Sequence, residues 1–148
     1  MTTIFELLTD DMQAVRECFA EAGNAPLEGI TRTAHQVGRL ARILDADRMA
    51  VEQALLPPLR RSGRLTPDIQ AAYAAMAAVA EEARTLSEAP SGEPGWAARF
   101  VRLEQDFEAA ARRVEADLIP AVREGLSSDE VAQASRAARA VRLGRPGG

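Results

Sequence analysis

The chain has very few of the side chains from which most cofactor and catalytic sites are built. Its 148 residues include one histidine, one cysteine, one tyrosine and one tryptophan, and all 18 basic residues are arginine. The single cysteine, Cys18, excludes an internal disulfide framework and is typical of a protein from the reducing cytoplasm. No zinc-binding spacing, nucleotide-binding glycine loop or catalytic-triad pattern occurs in the sequence.

Neither the charge nor the hydrophobic runs point to nucleic acid or to a membrane. The net charge is -4, and such mild acidity lacks the basic patch that nucleic-acid binding requires. No stretch approaches the roughly 18–20 apolar residues of a membrane span. Glu6, Asp10 and Asp11 interrupt any apolar run near the N-terminus, so no signal peptide is expected there. The sequence therefore predicts a cytoplasmic protein with no nucleic-acid partner and no membrane partner.

Apolar residues recur at alternating steps of three and four along most of the chain, which predicts helices. Four long helices are expected, beginning near Thr3, Thr31, Thr66 and Trp96, and a short fifth helix opens at Ser127. No segment alternates with period two, so no strands are predicted. Four long helices with short connectors pack most economically as an up-down-up-down bundle. We predict an all-α four-helix bundle with a short fifth C-terminal helix over residues 1–143, and a flexible tail over residues 144–148.

Two similar stretches, Glu52–Pro57 and Glu115–Pro120, organise this pattern. Each reads Glu, two variable residues, Leu, an aliphatic residue and Pro, and the second begins 63 residues after the first. Each stretch follows a long helical pattern, and its proline is expected to kink or end the regular helix. The chain is therefore interpreted as two successive repeats of one helix-pair unit.

The chain resembles the hemerythrin-like (HHE cation-binding) family over roughly residues 2–143. Thr2–Met12 is similar to the opening helix of that family, in which an acidic residue followed by histidine supplies the first metal ligand. The two Glu-x-x-Leu-x-Pro stretches resemble the ends of the helices that carry the family's His-x-x-x-Glu ligand pairs. Leu126–Val131 resembles its short C-terminal helix. The resemblance implies a helix bundle around a di-iron centre.

The residues at the implied ligand positions are not the ligands of that family. The histidine positions hold Met12, Asp47 and Ala110, the third-helix histidine falls near Tyr73 or Met76, and the glutamate positions hold Val51 and Val114. The chain's histidine, His35, lies two turns or more from this layer on the second helix. A di-iron centre needs several imidazole and carboxylate ligands facing one another. We therefore predict no metal, no cofactor and no oxygen binding through di-iron.

Two outcomes are open for the vacated metal position. In the first outcome, apolar side chains replace the ligands and fill the space, so that the core is closely packed as in most helix bundles. Alternatively, small side chains at the former ligand positions leave a cavity for a small apolar molecule. The candidate pocket residues are the inward-facing ones of this layer: Met12, Asp47, Val51, Tyr73, Met76, Ala110 and Val114.

Asp47 is the unusual member of this layer because its neighbours along the stripe are aliphatic. A buried carboxylate must be protonated, paired or hydrogen-bonded, and a raised pKa would suit a general acid or base. Tyr73 is the candidate hydrogen-bond partner, so Asp47 and Tyr73 are the candidate catalytic residues. The alternative is that the helix is slightly rotated and Asp47 contacts water.

Three classes of function follow from the sequence. The preferred one is a metal-free hemerythrin-like protein whose vacated cavity binds a small apolar ligand in a binding or regulatory role. The second is a cofactor-independent enzyme that moves a proton in an isomerisation or cyclisation, with Asp47 as acid or base. The third is an interaction module with a packed core that forms homodimers through its helix faces.

Overall fold

A computed structural model describes the backbone of residues 2–23 and 30–144 and the side chains of residues 2–22 and 33–141. These residues form five helical rods, and no strand occurs in the ranges described. The first rod is the single helix α1 (Ile4–Gly23). The predicted tail over residues 144–148 lies outside the described residues except for the backbone of Gly144, which is the last residue of the final helix.

The remaining elements follow in chain order. The second rod contains α2 (Ile30–Ala50), a π-helical segment π1 (Val51–Leu55) and α3 (Leu56–Arg61); the third is α4 (Pro67–Glu88). The fourth rod contains α5 (Trp96–Arg113), π2 (Val114–Leu118) and α6 (Ile119–Gly125), and the fifth is α7 (Ser128–Gly144). The all-helical prediction is thereby confirmed.

Side-chain caps begin three of the rods as the sequence predicts. Thr3 Oγ1 accepts a hydrogen bond from the Glu6 amide at 3.2 Å. Thr66 Oγ1 accepts one from the Ile69 amide at 3.2 Å. At the start of α7, the Ser127 amide donates to Glu130 at 3.0 Å, while the Glu130 amide donates to Ser127 Oγ at 3.1 Å. Each cap satisfies an N–H group that the first helical turn leaves without a helical partner.

The prolines disturb the helices without ending them. Pro57 and Pro120 have no N–H, so the carbonyl groups four residues before them lose the usual α-helical donor. The residue just before each proline makes a π-helical hydrogen bond: the Leu56 amide donates to the Val51 carbonyl, and the Ile119 amide donates to the Val114 carbonyl, each five residues back. The rods therefore continue past each proline, to Arg61 and Gly125.

The two halves of the chain repeat the same register. The two π-helical segments begin 63 residues apart, and so do the threonine caps of α1 and α4. Buried positions of α2–α3 and α5–α6 agree at the same spacing, as in the pairs Leu40/Leu103, Leu44/Phe107, Val51/Val114 and Leu55/Leu118. The buried stripes of α1 and α4 agree at a spacing of 64, as in Met12/Met76 and Val15/Val79.

The rods share one core. α2 packs against α1 and α4, α4 packs against α5 and π2, and α7 packs against π1, α2 and α1. Phe19 links α1 to α5, with its ring centroid 5.5 Å from Phe100 and 5.7 Å from Phe107. In the described part of the chain, no helix is long and apolar enough to cross a membrane.

Candidate functional site

A small cavity lies in the core at the level where the sequence places the vacated site. Its volume is about 20 Å³. Side chains from α1, α2, α4, α5 and π2 surround it: Met12, Leu44, Asp47, Met76, Val79, Phe107, Ala110, Ala111 and Val114. A space of this size is close to the roughly 10–15 Å³ that one water molecule occupies. Apart from Asp47, the wall is made of apolar side chains.

The two helix-pair units contribute matched positions to this wall. Met12 and Met76 correspond in the buried stripes of α1 and α4. Leu44 corresponds to Phe107, and Asp47 corresponds to Ala110, each pair 63 residues apart. The cavity therefore lies between equivalent parts of the two units. The two units differ in polarity at Asp47, whose counterpart is the apolar Ala110.

Five of the seven predicted pocket residues line the cavity: Met12, Asp47, Met76, Ala110 and Val114. Val51 is buried in π1 but is not part of the wall. The sequence reasoning missed four others: Leu44, Val79, Phe107 and Ala111. Each of these stands three residues from a predicted member on the same rod, which is one helical turn. A cavity wall spans about two helical turns. The residues three positions from each predicted pocket residue could therefore have been included from the sequence.

Asp47 is buried in the seam, with 3% of its surface exposed. The expectation of a buried acid is therefore confirmed, and the alternative in which the helix rotates Asp47 toward water is wrong. Burial holds the pKa of Asp47 well above its ordinary value, because the apolar surroundings disfavour the charged carboxylate. The protonated form is thus favoured over a wider pH range than in an exposed aspartate.

Asp47 also lines a second, smaller cavity of about 10 Å³. Its wall includes Asp11 of α1, which is 7% exposed, and Ala138 of α7. The other members are apolar: Ile4, Leu7, Leu8, Ala46 and Ala50. The Asp47 side chain therefore borders the central cavity and also a space that α7 covers.

The Tyr73 hydroxyl forms its hydrogen bond with Glu52 and not with Asp47. It donates to Glu52 Oε2 at 2.9 Å, and Tyr73 is not part of the wall of either cavity that Asp47 lines. Burial and the neighbouring Glu52 carboxylate both raise the pKa of Tyr73. The structure therefore does not bring Tyr73 together with Asp47 at a cavity as a pair for proton transfer.

The glutamates of the two repeated stretches each contact an arginine that also holds a second acid. Arg48 donates to Glu52 at 2.7 Å and to Asp45 at 3.0 Å, all on one rod. Arg16 of α1 reaches across to the fourth rod, where it donates to Glu108 at 3.0 Å and to Glu115 at 3.2 Å. In both cases the two acids are seven residues apart, so the acidic positions repeat although the arginine comes from different helices.

The residues around the central cavity do not form a di-iron site. Asp47 is the one ionisable residue in its wall, and the wall contains no histidine. Within residues 2–22 and 33–141, no group of three or more His, Cys, Asp or Glu side chains is placed to hold a metal ion. His35 is exposed near the start of α2. This donor set does not fit the iron centre that the resemblance implies.

Comparison with protein-family models, with curated proteins and with solved structures gives no match. The hemerythrin-like resemblance therefore has no support beyond the sequence motifs of this chain.

Proposed function

We propose that the chain is a metal-free protein of hemerythrin-like architecture whose central cavity binds a small apolar molecule. In this proposal α1, the α2–α3 rod, α4 and the α5–α6 rod form an up-down-up-down four-helix bundle, and α7 is added at its end. The matched register of the two helix-pair units supports this arrangement. The protein acts in the cytoplasm as a binding or regulatory protein, a location supported by its single buried cysteine.

The observation that carries the proposal is the composition of the cavity wall. Eight apolar residues and one acid surround the space. Because burial favours the neutral form of Asp47, an apolar ligand does not have to lie beside a full charge. The Met12 and Met76 side chains are unbranched and polarisable, and they can adjust to a guest more easily than β-branched side chains. Asp47 is the one ionisable side chain of the wall.

The size of the cavity limits the ligand. A volume of about 20 Å³ is little more than the roughly 10–15 Å³ that a cavity needs to hold one water molecule, so the guest is a molecule of about that size, and a larger one requires the methionine side chains to move. An apolar diatomic gas belongs to this class. Iron is not part of the proposal, and elemental analysis of the purified protein tests that point because stoichiometric iron would contradict it.

Methyl NMR under raised dioxygen pressure tests the proposal, with dioxygen as an apolar and paramagnetic probe. The chain has four methionines, of which Met12 and Met76 line the cavity while Met49 is half-buried away from its wall. We expect dioxygen to broaden the Met12 and Met76 methyl signals more than the Met49 signal. Equal broadening of the three signals would contradict a cavity-bound guest.

A pair of alanine variants makes the test specific. Ala110→Leu fills the cavity and is expected to abolish the excess broadening, whereas Ala109→Leu changes the exposed neighbour and is expected to leave it intact. Val114→Ile is the milder filling variant if the added leucine overpacks the core. Excess broadening that persists in both filling variants would place the probe elsewhere.

A second candidate function is an interaction module with a closed core. The small volume of the cavity favours it, since a space near the size of one water molecule is common in bundle interiors. Among the described side chains, however, Val101 is the exposed large hydrophobic residue, so an extensive apolar surface for a partner is absent from that part of the chain. Failure of the dioxygen test together with a dimer in sedimentation equilibrium would favour this candidate.

A further inference from the structure

Helix α7 lies outside the two helix-pair units. The two units cover residues 4–61 and 67–124 at a spacing of 63, and α7 begins after them at Ser128. It packs beside π1, whereas π2 packs beside α4, the first helix of its own unit. α7 therefore packs against the first π-helical segment in the way that α4 packs against the second. Its Ala138 covers the small cavity that Asp11 and Asp47 line.

Small side chains attach α7 to the rest of the protein. Among its described side chains, the buried ones are Ala134, Ser135 and Ala138, and the larger Val131 and Val141 are half-buried. By contrast, α4 buries large side chains, including Ile69, Met76 and Leu86. Because apolar stabilisation scales with buried area, the described side chains of α7 hold it to the core less strongly than those of α4 hold α4. Elements that make few buried apolar contacts open locally at a lower free energy than the main core.

Among the described side chains, two hydrogen bonds join α7 to the N-terminal end of α1. The Ile4 amide donates to Ser135 Oγ at 2.9 Å, and this hydroxyl donates in turn to the Val131 carbonyl. Arg139 donates to the Thr2 carbonyl at 2.5 Å. Each of these contacts joins a single polar group of α7 to a backbone group at or just before the start of α1.

α7 has the local signals to remain helical when it leaves the core. The reciprocal Ser127–Glu130 cap starts it, and its 17 residues are rich in alanine and arginine, which favour helix. Leu126 and Ser127 connect it to α6 and provide a short hinge. One flank is already open, since a groove of about 220 Å³ runs between α7 and the Pro57–Pro58 side of the second rod.

We propose that α7 is a hinged lid that undocks as an intact helix and exposes the cavity at Asp11 and Asp47. Asp47 borders the central cavity as well, so opening of α7 leads to the site of the proposed function. The opening itself does not depend on that function, but its use for ligand entry does. A lid of this kind controls when a guest reaches the space beside Asp11 and Asp47.

Thiol labelling measures this opening directly. Ala50 lines the cavity under α7, and an Ala50→Cys variant places a reactive group there. Cys18 is buried on α1, outside the walls of both Asp47 cavities, and serves as the internal reference for opening of the main core. We expect the introduced thiol to react with an aromatic disulfide reagent faster than Cys18 in native buffer. Ala46→Cys, at the half-buried edge of the same cavity, replaces it if the first variant does not fold.

A second substitution shows whether α7 is the element that moves. Ser135→Ala removes the bond to the Ile4 amide and is expected to speed labelling at position 50 by roughly threefold to tenfold, with no change at Cys18. Arg136→Ala, on the exposed face of the same helix, is the matched control and is expected to change neither rate. Equal labelling of the two thiols, or equal acceleration of both by Ser135→Ala, would overturn the lid because opening would then be global unfolding.

The outcomes also separate the two proposals. Fast labelling without excess dioxygen broadening leaves the lid standing and removes the proposed guest. Excess broadening with equal labelling retains the guest and removes the lid.

Discussion

Met12 of α1 and Met76 of α4 line one cavity from equivalent places in two successive helix-pair units. The equivalence holds at a spacing of 64 in these helices and at a spacing of 63 in the rods that contain the π-helical segments. Because both methionines come from the same position of a repeated unit, the cavity lies where the two units meet. Asp47 breaks the equivalence, since its counterpart is Ala110.

Asp47→Asn is expected to stabilise the protein at neutral and alkaline pH. The folded state raises the pKa of Asp47, so it holds a proton that the unfolded chain releases, and stability falls as the pH rises above the ordinary aspartate range. The asparagine cannot ionise and avoids this loss. Urea unfolding at pH 8 should show a gain above the roughly 0.5 kcal/mol typical of surface changes, and the gain should vanish near pH 4. A gain that is the same at pH 4 and pH 8 would show that ionisation is not its cause.

Phe107→Ala is expected to cost about 3–5 kcal/mol and to enlarge the central cavity. Phe107 is 2% exposed, lines the cavity and contacts Phe19. Removal of the ring leaves an apolar space, and benzene should bind there and restore part of the lost free energy of unfolding. Phe100→Ala is the control, because Phe100 is half-buried and outside the wall, so benzene should not rescue it. Chemical unfolding with and without benzene makes the comparison.

The titration of Tyr73 tests where its hydroxyl lies. The chain has one tyrosine, so ultraviolet absorbance reports this residue alone. Burial and the hydrogen bond to Glu52 raise its pKa above the ordinary value of about 10, and Glu52→Gln is expected to lower the midpoint. Glu115→Gln, at the equivalent position of the second unit, should leave it unchanged. If Asp47→Asn moved the midpoint more than Glu52→Gln, the assigned hydrogen bond would be wrong.

Arg16→Gln is expected to cost about 0.5–1.5 kcal/mol of unfolding free energy. Arg16 joins α1 to the fourth rod through Glu108 and Glu115, and its guanidinium lies 5.9 Å from the Phe107 ring centroid. Arg102 is the matched control: it is 79% exposed and 3.8 Å from Asp106 on its own helix, so Arg102→Gln should cost little. The loss at Arg16 should shrink in 1 M salt, which screens partly exposed ion pairs. Equal effects of the two substitutions would contradict a specific role for Arg16.

The sequence by itself determined the helices, their caps and the repeated register. These features depend on neighbours within about four residues: Thr66 caps α4 because its hydroxyl meets the Ile69 amide one turn later, and Pro57 changes the helix because it lacks an N–H. The apolar periodicity also placed Met12, Asp47, Met76, Ala110 and Val114 on inward faces, since a helix maps sequence spacing onto one side.

Only the tertiary structure decided what these faces enclose. Tyr73 binds Glu52 rather than Asp47, and Asp11 becomes buried beside Asp47 under α7, because these contacts join residues that are far apart in the chain. The volume of the central cavity depends in the same way on how closely several rods approach one another. Side-chain spacing fixes direction around a helix axis, but the distance between helices results from the packing of all of them together.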